Sequence, residues 1–88
     1  MDLFEACKSG NYKLVKKLID EGTNVNAKDN IGRTALMHAS EKGYKEICRL
    51  LIEKGADVNV KNRQEQTALM GASQKGNKEI CEILMLGM

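Results

Sequence analysis

The sequence predicts an all-α fold, a stack of three short helix pairs forming one domain over residues 1–88. Three observations carry that prediction. The stretch Thr34–Cys48 reads TALMHASEKGYKEIC, and Thr67–Cys81 returns it as TALMGASQKGNKEIC, 33 residues later. Each copy holds two runs whose apolar residues recur at helical spacing. Helices of about eight to ten residues are not stable alone. Each copy must therefore cover the apolar face of the next, which is why the chain repeats itself.

The same shift works backwards into the first third of the chain. Leu3 falls on Leu36, Ala6 on Ala39, Gly10 on Gly43 and Gly22 on Gly55, and Val25-Asn26 falls on Val58-Asn59. The copies are expected at about 1–28, 29–61 and 62–88. In copy one a second helix is expected over Lys13–Glu21, stopped by Gly22. In copy two the first helix is Ala35–Lys42. Thr34 introduces it as a cap for the free N–H groups of the first turn, and Gly43 closes it. The second runs from about Lys45 to Lys54, with Ile47, Cys48, Leu50, Leu51 and Ile52 as one broad apolar stripe. Gly55 follows, the residue best suited to a left-handed helix end. Copy three repeats this as Lys78–Leu86 and Gly87. The connecting segments, GTNVNAKDNIGR and GADVNVKNRQEQ, are rich in the Gly, Asn and Asp that turns require.

Composition limits the function classes. Hydrophobic residues make up 42% and charged residues 30%, a balance for a globular rather than a disordered chain. At 88 residues, such a domain buries about 60–65% of the surface its unfolded chain exposes, so its stability margin is thin. Net charge is +2, and the lysines are interleaved with acids, which argues against a nucleic-acid or membrane surface. No run approaches the roughly 18 apolar residues of a membrane span, and MDLFEACKSG has no apolar secretory core. Cys7, Cys48 and Cys81 form neither an even set nor a CxxC pair. Reduced thiols and an intracellular protein, cytoplasmic or nuclear, are expected.

The residues resemble the ankyrin repeat. The 33-residue period and the pattern T-A-L-M-x-A-S-x-x-G-x-x-E-I-C-x-x-L-x-x-x-G-A-D-V-N carry the likeness, which covers nearly the whole chain. The resemblance implies an ankyrin-repeat solenoid, a curved stack of antiparallel helix pairs with hairpin-like loops projecting from it. It also implies that a partner protein binds the concave side, made of loop tips and first helices.

The chain departs from the family pattern at several points. Ala35 and Ala68 stand where the family often has Pro, and Met37 and Met70 where it has His, so the family's threonine–histidine pairing is missing. Gly32 serves the first loop, but Glu65 takes that place in the second. If that turn needs positive φ, Glu65 carries strain or the loop adopts another turn. Copy one is more polar, with Lys17 in place of Leu50 and Ile83, and Glu5 in place of His38 and Gly71, as a capping repeat requires. At the other end Met85, Leu86 and Met88 replace Ile52, Glu53 and Gly55. Another chain covers these apolar residues, further repeats once did, or they fold down onto copy three.

Candidates for chemistry give no catalytic constellation. His38 is the only histidine, without the partners a triad or metal site needs, and it is expected to pack between repeats. Cys48 and Cys81 share one register, and stacked helices about 8–10 Å apart are too distant for a disulfide. They read as small buried hydrophobes. Cys7 aligns with Ser40 and Ser73 and is expected to be more exposed. Asp20-Glu21 at a helix end reads as solvated charge. Lys8, Lys13, Lys16, Lys17, Lys42, Lys45, Lys75 and Lys78 read as an ordinary charged surface, and Phe4, Tyr12 and Tyr44 are too few for base stacking. No enzyme, metal or cofactor is expected.

The resemblance places the adaptable binding positions at Asn30, Ile31, Arg33, Glu41 and Lys42, and at Arg63, Gln64, Gln66, Gln74 and Lys75. Arg33 and Arg63 can make planar bidentate contacts. In the family, the asparagine matching Asn26 and Asn59 usually ties the loop to backbone, and it can also be hydroxylated by a 2-oxoglutarate-dependent enzyme. The structural role is expected here. The function expected is a non-catalytic protein-binding module. The alternative is a structural unit that self-associates, as a homodimer or larger assembly, through Met85, Leu86 and Met88.

Overall fold

The computed structural model describes residues 2–86. Its helices are α1 (Leu3–Lys8), α2 (Tyr12–Asp20), α3 (Ala35–Lys42), α4 (Lys45–Glu53), α5 (Ala68–Gln74) and α6 (Lys78–Leu86). The bounds expected for α3 and α6 are met in full, and α2 and α4 end one residue earlier than expected. α2 also begins one residue earlier, at Tyr12, because Asn11 caps it: its side chain accepts from the Leu14 N–H at 3.1 Å. Thr34 and Thr67 cap α3 and α5 in the same way, accepting from the N–H groups of Met37 and Met70.

Two rows of helices result. α1, α3 and α5 pack side by side, and α2, α4 and α6 form the row behind them. α3 is at the centre, and every residue from Ala35 to Ser40 is buried. Leu36, Leu51, Leu84 and Val15 are the largest fully buried aliphatic side chains. Truncating Leu36 or Leu51 to alanine costs about 2–5 kcal/mol, a large share of the about 5–15 kcal/mol that holds a domain together.

Adjacent copies are also joined by polar clips. The Asn26 side chain donates to the Gly55 carbonyl at 3.1 Å and accepts from the Asp57 N–H at 2.7 Å. This is the structural role expected of Asn26. Lys45 reaches Glu79 across α4 and α6 at 2.8 Å, but both are exposed and such pairs contribute little. Tyr44 lies over Gly10, where an added Cβ would stand 2.9 Å from the ring. Among the described residues, no helix is long and apolar enough to cross a membrane.

The first connecting loop closes as a hairpin, with an antiparallel bridge between Lys28 and Thr34. The Asp29 N–H donates to the Arg33 carbonyl at 2.9 Å, and the Asn62 N–H donates to the Gln66 carbonyl at the same distance in the second loop. Both turns need positive φ at their fourth residue. Gly32 supplies it at 80°, and Glu65 is held there at 62°. The second loop therefore keeps the turn and carries the strain, which for a residue with a Cβ is about 1–2 kcal/mol.

Candidate functional site

Each loop tip is organised by one side chain that the sequence reading passed over. Asp29 Oδ1 accepts from the N–H groups of Ile31 and Arg33 at 3.0 and 2.9 Å. Asn62 Oδ1 accepts from Gln64 and Gln66 at 2.9 and 3.0 Å. The signal was present in the sequence, because Asp29 and Asn62 share one register and both side chains can close such turns. The two differ on their other side. Asp29 Oδ2 meets His38 Nε2 at 2.8 Å. The Asn62 amide turns back to Gln66 Oε1 at 3.3 Å, since Gly71 replaces the histidine.

Burial alone would raise the Asp29 carboxyl. Hydrogen bonds from the Arg33 N–H, His38 and the Ile31 N–H outweigh it and hold the carboxyl below its ordinary value. His38 is buried, as expected of a packing residue, and meets the Phe4 ring edge-on at 6.0 Å between centroids. It thus ties copy one to the loop tip of copy two.

Beyond the loop, Arg33 forms an ion pair with Glu41 on α3. The hydrogen bond from Arg33 is the main cause that lowers the Glu41 carboxyl. Arg33 Nε is buried without a hydrogen-bond partner among the described residues. In copy three this charged pair becomes Gln66 and Gln74. Ile31, Arg33, Glu41, Gln64, Gln66, Gln74 and Lys75 line one open groove of about 400 Å³, floored by Met37, Ala68 and Gly71. Gly71 lies inside α5, where glycine costs about 0.5–1 kcal/mol relative to alanine.

The other sequence-derived positions are elsewhere. Asn30 and Lys42 are exposed but do not line the groove. Arg63 borders a separate hollow with Lys28, Gly32 and Lys61. The expectation for Cys7 is corrected: it is fully buried, and burial pushes its thiol up to about 12. Its counterpart Ser40 is fully buried as well, because this position on a first helix is covered once another copy stacks on it. Cys48 is buried and its thiol is pushed up to about 11 by burial. Cys81 is only half-buried.

At the last copy, Leu84 turns inward while Met85 and Leu86 are 54% and 88% exposed. They do not fold down onto copy three, which corrects that alternative for these two residues. Met88 lies outside the described residues. Met70 is 46% exposed, although its counterpart Met37 is 4% exposed beneath copy three.

Compared with known families, residues 3–88 match a family model described as ankyrin repeats (3 copies). A search of curated proteins returned no match.

Proposed function

Because the chain belongs to the ankyrin-repeat family, whose repeats are generally protein–protein interaction modules, we propose that it is a non-catalytic module that holds a partner protein in the groove between copies two and three. The observation that supports this reading is convergence. Ile31, Arg33, Glu41, Gln64, Gln66, Gln74 and Lys75 come from two loops and two helices, and they meet along one groove. Neutralising Arg33 against Glu41 leaves a surface that is mostly polar but weakly charged, suited to reading a peptide backbone and its side chains. Gln64→Ala combined with Gln74→Ala, both exposed groove residues, should weaken a bound peptide about tenfold or more and leave the melting curve in place. Arg63→Ala, off the groove, serves as the control. Equal affinity for all of these proteins would refute the reading.

The second reading is self-association through the end of the stack. The exposure of Met70, Met85 and Leu86, all in copy three, favours it, since exposed apolar side chains are what an interface between chains would cover.

A further inference from the structure

We propose that Gly71 opens a side-chain slot in the groove, which admits an apolar side chain of a partner peptide while a neighbouring carboxylate of that peptide pairs with Lys75. The inference rests on the groove being the partner site and adds what it reads.

The glycine itself is the starting point. Gly10, Gly22, Gly32, Gly43, Gly55 and Gly76 all sit at positive φ, where only glycine is unstrained. Gly71 is helical, and a Cβ built on it meets nothing within 4 Å. Neither backbone conformation nor close packing requires a glycine there, and a helix interior is weakened by one. What the missing side chain does is leave space. In copy two the same register holds His38, which reaches across to Asp29 and is buried between helix and loop. Among the described residues of copy three, the Asn62 side chain bonds only within its own loop, to Gln64 and Gln66, and the groove runs over Gly71.

The chemistry of the slot follows from its walls. Met37 and Ala68 give it an apolar floor, and Ile31 stands exposed at its rim. Gln66 and Gln74 offer amides to a backbone passing over it. Arg33 is paired with Glu41. Lys75, which is exposed and near enough to Glu41 to help lower its carboxyl, has no ion-pair contact among the described residues and is the exposed cation of the groove. An extended segment with a leucine- or phenylalanine-sized side chain beside Asp or Glu matches both features.

The test uses the full chain. A phage-displayed random dodecapeptide library is selected on the wild type, and an enriched peptide is synthesised. Its binding to wild type, Gly71→Ala, Gly71→His and Lys75→Gln is read by fluorescence anisotropy, its location by amide shifts, and folding by thermal melts. The expected peptides carry an apolar residue next to an acid. Gly71→His should stay folded and lose affinity about tenfold or more, because it fills the slot. Gly71→Ala should melt higher and bind more weakly, and this variant decides the question if the histidine variant does not fold. Lys75→Gln should weaken binding and flatten its salt dependence. Peptides that shift Gln66 and Gln74 but bind both Gly71 variants like wild type would overturn the slot and leave the groove reading standing. Peptides that shift only other surfaces, or no enrichment at all, would overturn both.

Discussion

His38 Nε2 lies 2.8 Å from Asp29 Oδ2, and through this contact the packing of one repeat governs the loop tip of another. With Asp29 ionised, Nε2 carries the proton and donates. The imidazole is wedged against Phe4 of copy one, and Asp29 Oδ1 holds the backbone of Ile31 and Arg33. Rigidity at a binding tip lowers the ordering cost of a complex, so this contact links stability to the groove.

Asp29→Asn should isolate the charge. It keeps the Oδ1 acceptor, as Asn62 does in the next loop, and loses the carboxylate facing His38. A loss of about 1–2 kcal/mol is expected in urea unfolding at neutral pH, and Asp29→Ala should lose about twice that because the loop N–H groups lose their acceptor too. The pH dependence has a defined sign. The folded pKa of Asp29 is lowered from 3.8, so its contribution is complete above that value and disappears as pH falls through the lower folded one. Glu41, lowered from 4.5 by Arg33, behaves in the same way. The stability gap between wild type and Asp29→Asn should close in acid. A gap that stays constant from neutral pH to well below 3.8 would count against the carboxylate as its cause.

Glu65→Gly tests the strained loop. Glu65 sits at φ 62°, and its 3.7 Å contact with Lys61 is exposed and worth little. Glycine relieves about 1–2 kcal/mol of left-handed strain and returns about 0.4–1 kcal/mol through a looser unfolded chain. The net expectation is a gain of about 0.5–1 kcal/mol, read from the denaturant midpoint. Gly32→Ala should do the opposite, since it creates the same strain at φ 80° beside the Arg63 side chain.

The helices were legible because their signals are local. Thr34 and Gly43 bracket α3 and a continuous stripe marks α4, so period and caps sufficed. What was missed depends on the next copy. Cys7 aligned with serines and was read as wet, but copy two seals that position. Asp29 and Asn62 do not stand out among the Asn and Asp of their loops, because their role appears only once the backbone folds around them. Asn26 was placed correctly through the family resemblance, although the residues it clips lie 29 and 31 positions away. Arg63 lies on the other side of its hairpin from the groove, beside Lys28, Gly32 and Lys61, a division that loop-tip position alone does not reveal.

Thiol reactivity should separate the cysteines. With pKa values of about 12 and about 11, the Cys7 and Cys48 thiols are almost wholly protonated at pH 8, and both side chains are sealed. Thiolate is the reactive species. Cys81 is half-buried, with Ser73 Oγ at 3.5 Å from its sulfur. Native protein treated with iodoacetamide should be modified at Cys81 first. Cys7 and Cys48 should follow only at the rate of opening and react freely in urea. Peptide mapping by mass spectrometry reads the order. Equal native rates at Cys7 and Cys81 would contradict the seal over copy one.

The exposed end of the stack decides between the two functional readings. Met85 and Leu86 project from the last turn of α6, so Met85→Gln with Leu86→Lys removes apolar surface without touching Leu84 or Ile80 beneath. Exposed substitutions of this kind shift stability by only about 0.5 kcal/mol, and the melting temperature should hold. If this face joins chains, the wild type should gain mass with concentration in light scattering after gel filtration, and the double variant should stay monomeric. Peptide binding in the groove should be the same for both, because Gln66 and Gln74 belong to the loop and α5 rather than to α6. A wild type that remains monomeric at every concentration removes self-association and leaves the groove as the working surface. A dimer that persists in the double variant moves the interface elsewhere, with Met70 the next apolar side chain to replace.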